Sequence, residues 1–400
     1  MTEKLITLFK KIHYRSPLWL SRVYIPIVHF IENLRTFVLQ INFIEGEERE
    51  SGNFLKIAYF GNDSRILNYW AGILFREVSA ITKAGRINIW NIDRFTQNNI
   101  NKADLIIVET SSLTRSYINS GKGFVLPRWL DTLIDVENSL QAIMKNDTQK
   151  HINKYGFSCE ERFSDDDLQF FYERMFKPYI NIRHKDSSVK TDFSYFLKRF
   201  RRKDSGLFFL MKDKVPVAAS FNESIDGLIK FSGLGILDGN REILNMGAIR
   251  ALYYYMLTYY KKMNIDIINF GGTSPLLLDG LTQFKLSMRA FPNKKKLFGE
   301  KSLLLMPVNR TPALEAVLRS NPFIFITQKD LYRAVFVDST NTKSKHEFMK
   351  FIKRTRYKKI AGTKIFCLNG TTEKISQWIM EEDLPDHEIS EFELSGNHRQ

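Results

Sequence analysis

The sequence contains very little cysteine, and its few histidines are widely scattered. Its 400 residues include two cysteines, Cys159 and Cys367, which lie far apart in the chain. This excludes a scaffold built on disulfides and a zinc site of four cysteines, and it favours a reducing compartment. None of the seven histidines stands at metal-ligand spacing from another His or Cys. We therefore expect no bound metal.

Long hydrophobic runs are also missing. No segment reaches the ~18–20 apolar residues that a spanning helix needs. The nearest, residues 18–34, is interrupted by Arg22, Pro26, His29 and Glu32. The charged, apolar and small-residue regions of a signal peptide do not occur in order at the N-terminus. These absences predict a cytoplasmic protein.

Residues 1–50 form a predicted N-terminal amphipathic helical segment. Leu5, Leu8, Phe9 and Ile12 recur on one helical face, and lysines lie off that face. Such a helix can pack on the domain that follows it. It can also lie in a lipid interface, with its lysines at the head groups. Peripheral attachment to an anionic inner membrane face therefore stays open.

Several catalytic motifs are absent. The sequence has no Gly-x-x-x-x-Gly-Lys-Ser/Thr loop, which excludes the usual phosphate-cradling nucleotidase. It has no Gly-x-Ser-x-Gly elbow and no His followed by Asp five residues later. No activated Ser or Cys is visible either, so a covalent enzyme intermediate is not expected.

Basic residues exceed acidic ones, and the excess is uneven. The chain carries 59 Lys and Arg against 44 Asp and Glu, a net charge of +15. Seven acidic residues lie between Glu381 and Glu393, so the first 380 residues carry +21. The bases are concentrated around residues 183–203, 285–296 and 343–364. This distribution predicts recognition of a phosphorylated donor or acceptor.

The alternation of apolar and polar residues predicts an α/β (α+β) protein with mixed sheets flanked by helices. We divide it into residues 51–152, an N-terminal α/β domain; 153–300, a second domain; and 301–400, a C-terminal α/β extension with the acidic tail. In the second domain, three strand-like runs form an antiparallel meander. A helix from about Leu244 to Met263 and a strand at 266–270 follow. The predicted strands lie at 55–60, 86–90, 104–108, 124–126, 207–211, 215–223, 228–237, 266–270, 331–337 and 364–368, and the predicted helices at 65–80, 135–155, 164–176, 193–202, 244–263, 345–359 and 372–380.

The order of elements from about Asn153 to Pro292 resembles the GNAT acyltransferase superfamily, and within it the FemAB-like branch. The resemblance is carried by the segments 171–173, 215–220, 269–272, 279–281 and 284–285. It implies a GNAT-type mixed sheet. It extends weakly to the N-terminal domain, because FemAB-like proteins often carry two tandem units of this fold. The resemblance implies transfer of an acyl or aminoacyl group to an amine or hydroxyl of a cell-envelope, lipid or polysaccharide precursor.

The resemblance and elementary chemistry together nominate the site residues. Lys285 is placed to bind phosphate or stabilise an oxyanion, and Asp279 and Glu223 are candidate bases. The helix near Leu244 offers free N–H groups to a diphosphate, where Asn245, Gly247 and Ala248 allow close approach. Arg183, His184 and Tyr179 are candidate acceptor-binding residues.

The donor stays open between acyl-CoA, such as acetyl-CoA, and aminoacyl-tRNA. The GNAT diphosphate loop reads Gln/Arg-x-x-Gly-x-Gly/Ala, whereas this chain has Leu244 and Ile249 at its first and last positions. The expected acceptor is an amino-sugar, a lipid-linked precursor or a peptide, and nucleic acid is a partner only if tRNA is the donor. Two alternatives remain: a non-catalytic basic protein that binds nucleic acid or a membrane surface through the runs 198–203 and 343–359, and a glycosyltransferase-like protein.

Overall fold

The computed structural model describes most of the chain. It covers residues 27–28, 30–99, 102–118, 123–145, 147–184, 191–202, 204–225, 227–294, 301–327, 330–340, 342–355, 359–380 and 387–394. The predicted amphipathic face of residues 4–12 lies outside these ranges, as do Lys295, Lys296 and much of the acidic tail. Among the described residues, no helix is long and apolar enough to cross a membrane.

The chain forms two compact units, and neither is continuous in sequence. The described residues within Asp131–Gly272 and Phe284–Pro292 belong to unit 1, and those within Arg22–Leu130, Thr273–Gln283 and Asn293–Gln400 belong to unit 2. These bounds differ from the four consecutive segments drawn from the sequence. The reason is that strands distant in the chain pair in the same sheet, which composition and periodicity do not reveal.

Unit 2 is built on a ten-stranded mixed sheet. Along the chain its strands are β1 (Val38–Glu48), β2 (Phe54–Phe60), β3 (Phe75–Asn88), β4 (Leu105–Thr110), β5 (Phe124–Pro127), β13 (Ser302–Pro307), β14 (Phe323–Ile326), β15 (Leu331–Asp338), β16 (Gly362–Asn369) and β17 (His387–Glu391). Their order in the sheet is β17-β16-β15-β14-β5-β13-β4-β2-β1-β3. The predicted C-terminal extension therefore shares one sheet with the N-terminal strands.

Helices pack on the sheet of unit 2, and two of the predicted helices, 65–80 and 345–359, end earlier in the structure. The helices of unit 2 are α1 (Ser64–Leu74), α2 (Ile92–Asn98), α11 (Pro312–Ser320), α12 (Thr342–Arg354) and α13 (Thr372–Met380). The predicted helix 65–80 ends at Leu74, where β3 begins. Most of β3 is solvent-exposed, and it pairs antiparallel with β1. β3 is held in the sheet by main-chain hydrogen bonds to β1 and buries neither face over most of its length. Its side chains therefore lack the alternation of apolar and polar residues that predicts a strand.

Unit 1 contains a seven-stranded sheet, and its centre is the predicted meander. Its strands are β6 (Leu130–Asp135), β7 (Ser158–Arg162), β8 (Ser205–Lys212), β9 (Val215–Ile225), β10 (Leu228–Ile236), β11 (Ile267–Thr273) and β12 (Phe291–Pro292), in the order β12-β6-β11-β10-β9-β8-β7. β8, β9 and β10 pair antiparallel, and β10 pairs parallel with β11. The predicted mixed α/β fold class is confirmed, and the structure has two large mixed sheets.

The helices that lie wholly or partly in unit 1 match their sequence signals in part, because those at 177–184 and 280–287 were not predicted. They are α3 (Val136–Met144), α4 (Thr148–Tyr155), α5 (Asp165–Phe170), α6 (Lys177–His184), α7 (Phe193–Phe200), α8 (Arg241–Asn245), α9 (Ala248–Lys262) and α10 (Gly280–Ser287), the last of which continues from unit 2. Ser164 caps α5 by accepting a hydrogen bond from the Asp167 amide at 3.0 Å. The predicted helix 135–155 is two helices, and it stops at Gly156 in the left-handed conformation, as expected.

A π-helical turn, Phe171–Phe176, joins α5 to α6. The helix was expected to end before Pro178, but it continues to His184. The wider turn changes the main-chain pairing just ahead of the proline, which has no N–H to donate. This turn packs against β10 at Gly235, where a β-carbon would lie 2.7 Å from the amide nitrogen of Phe176. Only glycine at this position allows the helix to approach so closely.

Candidate active site

β10 and β11 are parallel neighbours that pair only near their amino ends. Their register contains two pairs, Ile229 with Ile268 and Lys230 with Asn269. β10 continues to Ile236 and β11 to Thr273 without further partners in that register. The carboxyl halves of the two strands therefore separate. This separation leaves main-chain groups in the carboxyl half of β10 without a partner in β11 and available to a ligand.

Helix α9 begins beyond the end of β10, after the short helix α8. Its N-cap, Gly247, has φ of 79°, which favours glycine. A β-carbon there would come within 2.6 Å of the His151 ring nitrogen Nδ1. Ala248 is fully buried in the core, and Asn245 is exposed. Packing thus accounts for the small side chains at 247 and 248, so ligand approach is not needed to explain them. The first-turn amides of α9 still lack acceptors within the helix itself.

Lys285 is buried and hydrogen-bonded to the end of β11. Only 4% of its surface is exposed. Its Nζ donates to the carbonyl oxygens of Phe270 at 2.7 Å, Gly271 at 2.7 Å and Gly272 at 3.0 Å. Thr132 Oγ1 lies 3.3 Å from Nζ and itself donates to the Gly271 carbonyl at 2.7 Å. Lys285 therefore holds together three consecutive carbonyls at the point where β11 leaves β10.

The surroundings of Lys285 control its charge. Burial lowers the pKa of Lys285 to about 7, Lys230 acts in the same direction, and the Asp131 carboxylate opposes the shift. Asn269 donates to Asp131 at 3.3 Å and accepts from the Gly271 amide at 2.8 Å. We call Asp131, Thr132, Lys230, Asn269 and Lys285 the Lys285 cluster. Both charge states of its lysine are accessible near neutral pH.

This geometry changes the expected chemistry of Lys285. A lysine ammonium has three N–H donors, and three carbonyls already accept them. It has no free donor for a phosphate or an oxyanion while these bonds hold. The neutral amine keeps two donors and carries a lone pair, which can accept a proton. The cluster is therefore suited to proton transfer or to positioning β11 rather than to anion binding.

Gly271 allows the three carbonyls to converge, because its φ of 76° lies in the left-handed region. A β-carbon would find ordinary contacts, 3.8 Å from Lys285 Nζ and 4.0 Å from the Phe231 oxygen. The Gly271→Ala variant is therefore expected to lose about 1–2 kcal/mol through backbone strain alone. It is also expected to shift the titration of Lys285, because the carbonyls around Nζ must move. Chemical denaturation and NMR titration of Nζ measure the two effects.

Gly227→Ala is the matched control for this prediction. Gly227 has φ of 78° and open space at its β-carbon position, at the turn between β9 and β10. It should show a similar stability loss and no change in the Lys285 titration. Equal titration curves in both variants would contradict the assignment of Gly271 to the cluster.

Glu223 lies on β9 in a buried ion pair. Its Oε2 is 2.6 Å from Arg199 Nε, and its Oε1 accepts from Ser232 at 2.6 Å and from Tyr195 at 3.2 Å. The Arg199 guanidinium also stacks on the Tyr195 ring at 3.7 Å. With only 1% of the residue exposed, the carboxylate is committed to these partners. This arrangement fits a structural anchor and leaves little scope for the predicted catalytic base.

Asp279 belongs to unit 2 and caps helix α10. Its Oδ1 accepts hydrogen bonds from the amides of Leu281 at 2.9 Å and Thr282 at 3.1 Å. Its Oδ2 lies 3.4 Å from the Tyr69 hydroxyl, which also contacts Ser274 Oγ at 2.5 Å. Burial and the Asp279 carboxylate raise the pKa of Tyr69 above its ordinary value. The helix cap explains this aspartate without a role as the predicted base.

The predicted acceptor-binding residues lie on α6. Tyr179 is 4% exposed and packs in the core with Ile236 and Ala248, so its ring is not displayed to a large acceptor. Arg183 and His184 form the last positions of the helix, and their side chains lie outside the described part of the structure.

The basic run 198–203 is largely neutralised by neighbouring acids. Arg199 pairs with Glu223, Arg201 Nη2 with Asp165 at 2.6 Å, and Arg202 Nη2 with Asp204 at 2.7 Å. Lys294, in the basic stretch 285–296, pairs with Asp330 at 2.6 Å. These cations are thus less available to a large anionic partner than the sequence suggests.

Asp131, Thr132, Lys230 and Asn269 were not selected from the sequence. They come from three different strands and join Lys285 only through the order β6-β11-β10. The one local signal is Asn269, which directly precedes the Phe270-Gly271-Gly272 end of the strand. Strand β6 was not predicted at all, because its six residues adjoin Pro127 and a strong helix signal.

Comparison with known proteins was informative only at the level of structure. No model of a known protein family matches the chain, and no curated protein sequence does. One solved structure similar to it is the C-terminal DUF2156 domain of a protein predicted to be a lysylphosphatidylglycerol synthetase from Agrobacterium fabrum. The two chains are 12% identical with a TM-score of 0.32, and the match covers 80% of this chain and 96% of the other. FemX is 10% identical, with a TM-score of 0.36 and coverage of 65% and 88%.

A GCN5-related N-acetyltransferase from Anabaena variabilis is also similar, at 12% identity and a TM-score of 0.27, with coverage of 71% of this chain and 62% of the other. At these values no residue correspondence is drawn from the comparisons. The fold assignment comes from unit 1: an antiparallel meander, a helix, and a parallel strand that separates from its neighbour. This order and pairing of elements gives unit 1 the GNAT-type mixed sheet that the sequence predicted. FemX and GCN5-related N-acetyltransferases are among the structures similar to this chain.

Proposed function

We propose that this protein is a FemAB-like N-acyl or aminoacyltransferase. It would transfer an acyl group from acyl-CoA, or an aminoacyl group from tRNA, to an amine or hydroxyl of a cell-envelope, lipid or polysaccharide precursor. The observation that carries the proposal is the separation of β10 and β11 after two residue pairs. A gap between parallel strands exposes main-chain N–H and C=O groups that can orient the donor's carbonyl and the acceptor.

In the proposed reaction, the acceptor amine attacks the donor carbonyl directly. The nitrogen–carbon bond forms, and the bond to the thiolate or to the tRNA 3′ oxygen then breaks. The attacking nitrogen must lose a proton, and neutral Lys285 is the candidate to receive it through a water molecule, because main-chain carbonyls accept hydrogen bonds but do not relay protons. The leaving group takes up a proton in turn. Lys285 is suited to this task because burial lowers its pKa to about 7, so the neutral amine is present near neutral pH.

Between the two donors, the structural details favour aminoacyl-tRNA. The loop before α9 lacks the Gln/Arg-x-x-Gly-x-Gly/Ala pattern, and the glycine at position 247 is explained by backbone conformation and by His151. A dedicated diphosphate cradle is therefore not needed to explain these residues. The proposed class of acceptor rests on the resemblance to FemAB-like proteins. Peripheral contact with a membrane is also part of the proposal.

A direct test is a transfer assay with the purified full chain. Radiolabelled acetyl-CoA and a mixture of radiolabelled aminoacyl-tRNAs are offered separately with amino-sugar, phospholipid and peptidoglycan-precursor acceptors. We expect label to enter one acceptor class, and the donor that supplies it decides between the two routes. Release of label only to water, or no transfer with either donor, would count against the transferase and favour a binding protein.

A further inference from the structure

Unit 2 contains a second polar cluster, which the proposed transfer reaction does not use. It lies at the carboxyl end of β4, beside its parallel neighbour β2. Thr110 Oγ1 and Ser302 Oγ are 2.9 Å apart and buried. Thr36 Oγ1 contacts Ser111 Oγ at 3.0 Å and Thr114 Oγ1 at 2.9 Å. Ligands of open α/β sheets commonly bind outside the carboxyl ends of parallel strands.

Arg115 extends its guanidinium into this cluster. Its Nη2 donates to Ser302 Oγ at 2.8 Å, and its Nε is buried without a hydrogen-bond partner among the described residues. The side chain as a whole is only half-buried, so a ligand can reach it. Burial lowers the pKa of the Arg115 guanidinium from its ordinary value, and among the described residues no carboxylate counteracts that shift.

Three other cations of unit 2 each have a carboxylate partner, which Arg115 lacks among the described residues. Arg65 and Arg128 share Asp63, and Lys301 pairs with Glu32 at 3.3 Å. Glu109, one residue before Thr110, accepts from the Tyr59 hydroxyl and from the Asn62 amide at 3.1 Å. A desolvated cation without a counter-charge is costly, so an external anion would stabilise it.

We propose that Arg115, held in place by the Ser302 hydroxyl, binds a phosphate group at the carboxyl end of β4. The planar guanidinium offers paired N–H donors that fit two oxygens of such a group. Ser302 Oγ accepts from Arg115 Nη2 and is itself supported by Thr110 Oγ1 at 2.9 Å, so the two buried hydroxyls orient the guanidinium. The phosphate belongs either to a soluble molecule or to a lipid headgroup. Exposed aromatic side chains occur in the same region, since Tyr117 follows in the turn that begins at Arg115.

The first experiment is a thermal-shift titration of the full chain with inorganic phosphate and pyrophosphate at fixed ionic strength. We expect a saturable rise in Tm for the wild type and at least tenfold weaker binding for Arg115→Met. Arg319→Met is the control, because Arg319 is a surface arginine of unit 2 beside Asp338 at 3.9 Å. Ser302→Ala, which removes the hydroxyl that Arg115 contacts, should weaken binding severalfold and gives an independent reading if Arg115→Met does not fold.

A vesicle sedimentation experiment separates the two sources of phosphate. Binding to phosphatidylglycerol vesicles over phosphatidylcholine vesicles, lost in Arg115→Met and kept in Arg319→Met, would assign the site to a lipid. A pyrophosphate effect without vesicle binding would assign it to a soluble phosphate compound. If neither probe binds, or if Arg115→Met and Ser302→Ala both bind like the wild type, the site is overturned. No transfer assay is involved, so this result is independent of the proposed activity.

Discussion

Replacement of Lys285 by methionine is expected to lower the rate of transfer by about 10²–10⁴-fold, the usual contribution of a positioned proton acceptor. The variant keeps a side chain of similar length but removes the charge and all N–H donors from the three carbonyls at the end of β11. The measurement is kcat and KM in the transfer assay that identifies the donor. A loss in kcat with a small change in KM is expected, because the lysine acts on the reacting proton.

The pH–rate profile tells a proton-transfer role from a structural one. The wild-type rate should rise through a limb near pH 7, where Lys285 loses its proton. In Lys285→Met this limb should disappear, and the residual rate should be flat there. A residual rate that keeps the same limb would assign the titration to another group. Lys262→Met, at an exposed position in the last turn of α9, is the control and should behave like the wild type.

Stability should respond to the same titration. Since the folded pKa of about 7 lies below the ordinary 10.5, the unfolded chain binds more protons between these two values. The free energy of unfolding should therefore rise with pH in this window by up to about 1.4 kcal/mol per pH unit relative to Lys285→Met. Denaturation at pH 7, 8 and 9 measures the slope. A difference between the two proteins that does not change with pH would contradict the lowered pKa.

Replacement of Glu223 by alanine is expected to destabilise the protein by about 3–5 kcal/mol, because Arg199 would be left buried without its counter-charge. Ser232 and Tyr195 would also lose their acceptor. Thermal denaturation should show a fall in Tm of roughly 10 °C or more. Activity measured well below that temperature is expected to remain, because the bonds of this carboxylate to Arg199 and Ser232 favour a role as an anchor of β9 over a role as the base.

Two controls sharpen the Glu223 test. Glu160→Ala removes a largely exposed partner of Arg162, and should cost about 0–1 kcal/mol. The double variant Arg199→Met with Glu223→Leu should recover much of the loss, since two apolar side chains replace the charged pair. If Glu223→Ala instead abolished activity with an unchanged Tm, the residue would be a base after all.

The fold could be predicted for segments whose sequence pattern of apolar residues, caps and turns matches the face that the structure buries. The meander, the caps at Ser164 and Gly156, and the strand that ends in Gly271 and Gly272 all carry such signals. β3 was missed in its first part because Arg76, Glu77 and their neighbours face solvent. Its hydrogen bonds to β1 involve only main-chain atoms and therefore produce no periodic pattern of apolar side chains.

The site was predictable only in part, for a different physical reason. Lys285 was selected from its local context, but its burial and carbonyl partners depend on β6 and β11 lying side by side. Glu223 and Asp279 have the right chemistry for bases. In the structure, however, Glu223 pairs with Arg199, and Asp279 accepts hydrogen bonds from the amides that begin α10. These contacts indicate structural roles, which could not be recognised from the short sequence around either residue.

The discontinuous course of unit 1 has a consequence for biosynthesis. β6 leaves the ribosome early, whereas β12, its partner in the sheet, ends at Pro292. At ~5–20 residues per second, β6 waits roughly 8–30 s for this neighbour. A gene fragment that encodes residues 153–300 would lack β6 entirely, including Asp131 and Thr132. Expression of that fragment should yield insoluble protein, and co-expression of residues 1–152 as a separate chain is the way to complement it.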